Sequence, residues 1–168
     1  VPDVLIFEDD PEHQLRYSQA WQQAVDTSPL PTATPGTSGE RLRIGYFSAD
    51  FHEHATLCLM AGLFREHDRQ RFEIIAYSYG PDRQDEMRAE LVRHVDRFVD
   101  VRDLSDAAVA ELARSRGLDI AVDLKGYTQN SRSRLFVHRM APIQVSYLGY
   151  PGSMGAEFID YLIADAVV

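Results

Sequence analysis

A chain of 168 residues that is 45% hydrophobic and 10% aromatic is long enough to build one compact domain with a full core. Its formal net charge of -9 argues against a general binder of nucleic acid or of anionic membrane surfaces, because a polyphosphate would be repelled over most of the protein. The lone cysteine, Cys58, excludes an internal disulfide and a cysteine-rich zinc site; with no long apolar run and no basic-then-apolar leader, the expectation is a cytoplasmic protein that does not enter a membrane.

Residues 1–40 read differently from the remainder. Val4 to Phe7 is a short apolar piece, and Pro11 to Val25 has helical character, with Leu15, Trp21 and Ala24 available for packing. Residues 28–40, SPLPTATPGTSGE, read as a linker, so the helix before them is expected to be an appended connector. From Arg41 onward strands and helices alternate. Strands are expected at Leu42 to Phe47, Phe72 to Tyr79, Arg97 to Val101, Leu118 to Leu124, Ile143 to Leu148 and Tyr161 to Ala164. Helices are expected near 55–66, 84–95 and 105–116, the last capped by Ser105 and closed by Gly117, with a shorter one after Ser131 that ends before Pro142. This alternation predicts an α/β fold, a Rossmann-like doubly wound parallel sheet with right-handed crossovers, over residues 41–168.

The segment RLRIGYFSADFHEHATLCLM, residues 41–60, concentrates the chemistry. A strand runs into a loop carrying His52 and His54, and a helix whose apolar face is Leu57, Met60, Ala61 and Phe64 follows at once. The loop therefore falls where open α/β sheets bind ligands, outside the carboxyl ends of the strands. His54 lies at the helix start, where the positive dipole end disfavours an imidazolium and leaves a neutral ring able to accept a proton or orient a hydroxyl. A surface histidine at a helix start is the plainer reading of the same residue. His52, His54 and Cys58, with Asp50 near, do not complete a metal set, so no metal is expected, and Cys58 is expected in the core.

Two further loops follow later strands. Residues 125–139, KGYTQNSRSRLFVHR, hold Lys125, Arg132, Arg134 and Arg139 without an acid, and Thr128, Asn130 and Ser131 place hydroxyl and amide groups at a helix start. A phosphate-bearing ligand and a solvated basic helix both fit that pattern. Residues 148–156, LGYPGSMGA, allow close backbone approach to a ligand, but the spacing is not the dinucleotide-binding fingerprint. Tyr46, Tyr127, Tyr147 and Tyr150 fall near strand ends, where aromatic faces either stack on a base or sugar or simply pack.

Taken together, LRIGYFSADFxxHAT at 42–56, DLKGYTxxSRxxLF at 123–136 and APIQVSYLGYPGSMGAxFIDYLIAD at 141–165 resemble the catalytic region of the O-linked N-acetylglucosamine transferases, a family that also holds SPINDLY-like protein O-fucosyltransferases and bacterial protein glucosyltransferases. The resemblance implies the first lobe of a two-lobe GT-B glycosyltransferase, inverting and independent of metal or other cofactor, with the second lobe absent from this chain. It implies a nucleotide-sugar donor, UDP-GlcNAc foremost, a protein acceptor, and tetratricopeptide repeats ahead of a connector at residues 1–40. His54 takes the place of the DFxxH histidine near the acceptor hydroxyl. Tyr127, Thr128 and Arg132 take those of the GYTxxxR pattern, and Leu148, Gly149, Tyr150, Pro151 and Gly152 those of the donor-side loop. Two departures stand out: Ala55 replaces a proline that would fix the helix start, and Met154 replaces a small serine. A non-catalytic scaffold built on a degenerate lobe and a two-lobe sugar-nucleotide epimerase are the alternative readings.

Overall fold

The computed structural model describes residues 10–23 and 41–166. Val4 to Phe7, Ala24, the linker at 28–40 and the side chain of Trp21 lie outside the described residues. The elements run in the order α1 (Pro11–Gln23), β1 (Leu42–Ser48), α2 (Ala55–Glu66), β2 (Phe72–Ser78), α3 (Glu86–His94), β3 (Arg97–Asp100), α4 (Asp106–Ser115), β4 (Ile120–Asp123), a 3-10 turn (Ser133–His138), β5 (Ile143–Tyr147) and β6 (Tyr161–Ile163). All six strands pair in parallel in the order β3-β2-β1-β4-β5-β6, the doubly wound sheet expected from the alternation.

The two-residue period of the strands sorts their side chains into two cores. Ile44 and Tyr46 of β1 point to one face, where Leu57, Met60 and Phe64 of α2 and Leu91 of α3 cover them. Phe47 points to the other face, with Tyr77 of β2, Val109, Ala110 and Ala113 of α4, and Leu135 and Phe136 of the 3-10 turn. Phe47 and Tyr77 stack at 4.5 Å between ring centres, and Phe136 meets Phe47 edge-on at 5.6 Å. Full burial of such side chains stabilises the fold by roughly 1.5–3 kcal/mol each. As expected, Ser105 caps α4 by accepting the Ala108 N–H, and Gly117, at φ 65, closes it.

Three local expectations change. The helix after Ser131 is a single 3-10 stretch, bounded by Asn130 at φ 61 and Arg139 at φ 51, whose left-handed backbones do not continue an α-helix. Cys58 is exposed, because one step beyond Leu57 the α2 surface turns to solvent. Helix α1 is docked rather than simply appended: Ser18 is fully buried and its Oγ donates to the Ser153 carbonyl at 2.8 Å, while Leu15 and Gln19 lie against Gly155. β6 ends the sheet as an edge strand, with Tyr161, Leu162 and Ile163 all at least half exposed.

Candidate active site

Strand order reverses between β1 and β4, so the crevice of an open α/β sheet opens above their carboxyl ends. Phe47 of β1 is in register with Asp123 of β4, and the chain leaves the two strands side by side, toward Asp50 in one loop and Lys125 in the other. Lys125 Nζ donates to Asp50 Oδ2 at 2.6 Å, with both side chains 8% exposed. Two residues read from sequence as a metal neighbour and a phosphate contact thus form one buried ion pair.

His54 rises from this floor as the N-cap of α2, with extended backbone at φ -154 and ψ 150, and its Nδ1 accepts the Thr56 N–H at 3.2 Å. The ring itself satisfies one of the orphan donors at the helix start, the Thr56 N–H; a proline at 55 would have removed a different one, the N–H of residue 55. Its side chain is 41% exposed, and Nδ1 stands 3.5 Å from Asp50 Oδ2. His52 is buried, its Nδ1 turned to the Glu53 carbonyl at 3.2 Å, so the structure separates the two histidines: one inward, one toward solvent. The loop between them is pinned where the Glu53 N–H donates to Asp85 Oδ2 at 2.8 Å, and that N–H is the chief cause holding the Asp85 carboxyl below its ordinary range. Among the described residues no three His, Cys, Asp or Glu side chains gather closely enough to hold a metal.

The β4 loop is built around Asp123. Its buried carboxyl group takes the N–H groups of Lys125 at 2.8 Å and Gly126 at 3.1 Å on Oδ1, folding the chain back so that Lys125 reaches Asp50. Gly126 sits at φ 53, and a Cβ there would fall 2.5 Å from Cβ of Tyr150. Thr128 Oγ1 donates to the Lys125 carbonyl at 2.9 Å. Tyr127 and Tyr150 are buried against each other and Met154, and the Tyr127 hydroxyl donates to the Met154 carbonyl at 2.9 Å. Their rings pack within the lobe. Arg132 is likewise engaged inside the lobe: Nε donates to Asp106 Oδ1 at 3.0 Å and Nη2 to the Leu104 carbonyl at 2.8 Å. Arg139 pairs with Asp160 at 2.7 Å. Lys125, Arg132 and Arg139 of the acid-free run in the sequence thus find their acids in other elements.

The loop after β5 holds Leu148 to Gly152, the residues that the resemblance sets on the donor side. Leu148 adopts φ 69 and the Gly149 N–H bonds back to the Tyr147 carbonyl at 2.8 Å, a strained γ-turn of the kind found where backbone is shaped for a ligand. Gly149 lies on the end of β4, where a Cβ would stand 2.0 Å from the Leu124 carbonyl oxygen. Gly149→Ala is expected to lower stability by about 3 kcal/mol through backbone displacement, read as a fall in the denaturant midpoint; an unchanged midpoint would show the contact to be loose. Pro151 and Gly152 line a groove of about 520 Å³ with Met154, Gly155, Leu162 and Gln19 of α1. The groove opens beside the loop and is not lined by His54.

Comparison with known proteins identifies the family and the fold. The sequence model of glycosyl transferase family 41 matches residues 24–168. The chain is 39% identical over 129 residues to a probable UDP-N-acetylglucosamine–peptide N-acetylglucosaminyltransferase SEC of Arabidopsis thaliana, covering 77% of this chain and 13% of that protein. It is 40% identical over 131 residues to the UDP-N-acetylglucosamine–peptide N-acetylglucosaminyltransferase of Caenorhabditis elegans, covering 77% of this chain and 11% of that protein. A solved structure of an O-GlcNAc transferase mutant from Thermobaculum terrenum superposes with a TM-score of 0.85 at 32% identity, over 93% of this chain and 30% of that one.

Proposed function

Because the chain belongs to glycosyl transferase family 41, we propose that it forms the amino-terminal catalytic lobe of a protein O-glycosyltransferase that moves N-acetylglucosamine from UDP-GlcNAc to Ser or Thr hydroxyls. The observation that carries this reading is His54, fixed on the rim of the switch-point crevice inside the segment the family model matches. In the reaction the acceptor oxygen bonds to the anomeric carbon from the face opposite the leaving diphosphate, inverting that centre; the bond to the diphosphate oxygen breaks, and the acceptor's proton passes to a phosphate oxygen of the departing diphosphate. Such chemistry requires an oriented hydroxyl, a destination for its proton and stabilisation of the departing charge. His54 serves the orientation of the reacting groups, and the loop at Leu148 to Gly152 lies beside the donor with Tyr127, Thr128 and Arg132 supporting it. A second lobe facing the crevice supplies most of the diphosphate contacts, and no metal takes part.

Helix α1 then continues from tetratricopeptide repeats that select the acceptor, in a cytoplasmic enzyme; no described helix is long and apolar enough to cross a membrane. The test is product analysis with labelled UDP-GlcNAc and a Ser/Thr peptide, using a protein that carries both lobes. Label on the peptide supports transfer. An isomerised donor would reveal an epimerase, and no product with folded protein would reveal a scaffold. This chain alone should yield little labelled peptide, and robust turnover by it would sink the two-lobe account.

A further inference from the structure

Which nitrogen of a neutral imidazole carries the proton decides whether the residue accepts or donates. At His54 the backbone decides. The Thr56 N–H can only donate, and it points at Nδ1 from 3.2 Å, so Nδ1 must present its lone pair and the ring proton sits on Nε2. The competing arrangement gives the proton to Nδ1 and donates it to Asp50. That needs Oδ2 closer than the 3.5 Å at which it stands, and Oδ2 is already held by Lys125 at 2.6 Å.

The other groups around the ring do not alter this balance. His52 lies edge-on with its ring centre 5.8 Å away and its own Nδ1 on the Glu53 carbonyl. Asp85, from the head of α3, is occupied by the N–H groups of Glu53 and Arg88. Among the described residues Nε2 of His54 makes no hydrogen bond, and with the side chain 41% exposed its proton is free to meet a ligand.

We propose that Lys125, by holding the Asp50 carboxylate, keeps His54 in the Nε2–H form, so that His54 meets its substrate as a hydrogen-bond donor and Lys125 is a positioning residue for it. A ring in this state does not take the acceptor's proton. It orients an oxygen, and that this oxygen belongs to a reacting sugar or hydroxyl rests on the transferase reading. Take Lys125 away and the freed carboxylate draws the proton to Nδ1, turning Nε2 into a bare acceptor.

The experiment is a long-range proton–nitrogen correlation spectrum of this chain with 15N-labelled histidine, at about pH 8 where an ordinary imidazole is neutral. The parent is expected to show a pyrrole-type Nε2 and a pyridine-type Nδ1 at His54. Lys125→Met should move the ring mainly to the reverse pattern, and the double variant Lys125→Met with Asp50→Asn should restore the parent pattern. A merely structural lysine would not produce that reversal. A pyridine-type Nε2 in the parent overturns the proposal by itself, so a variant that fails to fold offers it no shelter. A Lys125→Met spectrum like the parent's overturns the role of Lys125. The spectrum reports nothing about transfer, so a two-lobe protein without transferase activity would defeat the functional reading and leave the tautomer result standing.

Discussion

Replacing His54 by alanine in a protein that carries both lobes should lower kcat for sugar transfer by about 10²–10³-fold, the usual loss when one preorganised donor is removed from a reacting centre. The same change deletes the N-cap acceptor of α2 and should lower stability by about 1 kcal/mol. His54→Asn separates the two effects. Its side-chain oxygen can take the Thr56 N–H, keeping the cap, while the amide hydrogens point differently from Nε2. Asparagine should therefore melt like the parent yet still transfer slowly. Steady-state kinetics together with thermal unfolding of the three proteins decide the matter. If alanine retains transfer within about threefold of the parent, His54 neither orients nor relays anything in the reaction.

The second large effect belongs to Asp123. Ser133 Oγ lies 3.0 Å from Asp123 Oδ2 and 2.8 Å from the Gly126 carbonyl, and a hydroxyl has one hydrogen. If that hydrogen goes to the carbonyl, Oδ2 must carry a proton of its own to meet Oγ. Burial, the largest influence on this carboxyl, indeed raises its pKa above the ordinary value, outweighing the N–H groups of Lys125 and Gly126. A folded-state pKa that is raised means the protonated acid fits the fold better. The stabilisation is complete below the unfolded value of about 4 and is lost as pH rises through the folded one. Asp123→Asn imitates the protonated acid. Relative to the parent it should match at about pH 4 and gain as pH rises, removing this residue's share of the decline. Asp123→Ala strands two buried N–H groups and should cost about 2–4 kcal/mol at any pH. Thermal unfolding from acid to neutral pH checks both, and an asparagine variant as unstable as the alanine one would refute the shared-proton arrangement.

Much of the fold was legible because apolar periodicity is a local property. Ile44, Tyr46 and Phe47 announce β1, and Leu57, Met60 and Phe64 announce the face α2 buries. Strand ends shifted by a residue or so, since β4 stops at Asp123 once that side chain turns back on its own loop. What the pattern did not carry was pairing across elements. Lys125 and Asp50 are 75 positions apart, and Arg132 reaches Asp106 across 26, so cations that looked free along the run had acids waiting elsewhere in the chain. The strand order could have exposed the first pair: β1 and β4 are neighbours, and the two residues leave adjacent carboxyl ends. His54 was singled out by family pattern and not by physics, because exposure and cap geometry separate it from His52 only once the loop is folded. The docking of α1 rests on a serine hydroxyl and a backbone carbonyl, a contact without any signature in composition.

The bare margin at β6 has a practical side. Tyr161, Leu162 and Ile163 present apolar side chains beside backbone groups that no described strand pairs with, a ready template for another chain to extend. Concentrated samples of the lobe should therefore self-associate by strand addition, broadening the very spectra needed to follow His54. Ile163→Lys, at a position 50% exposed and outside the lining of the neighbouring groove, would blunt that edge, making it the natural background in which to study this lobe in solution.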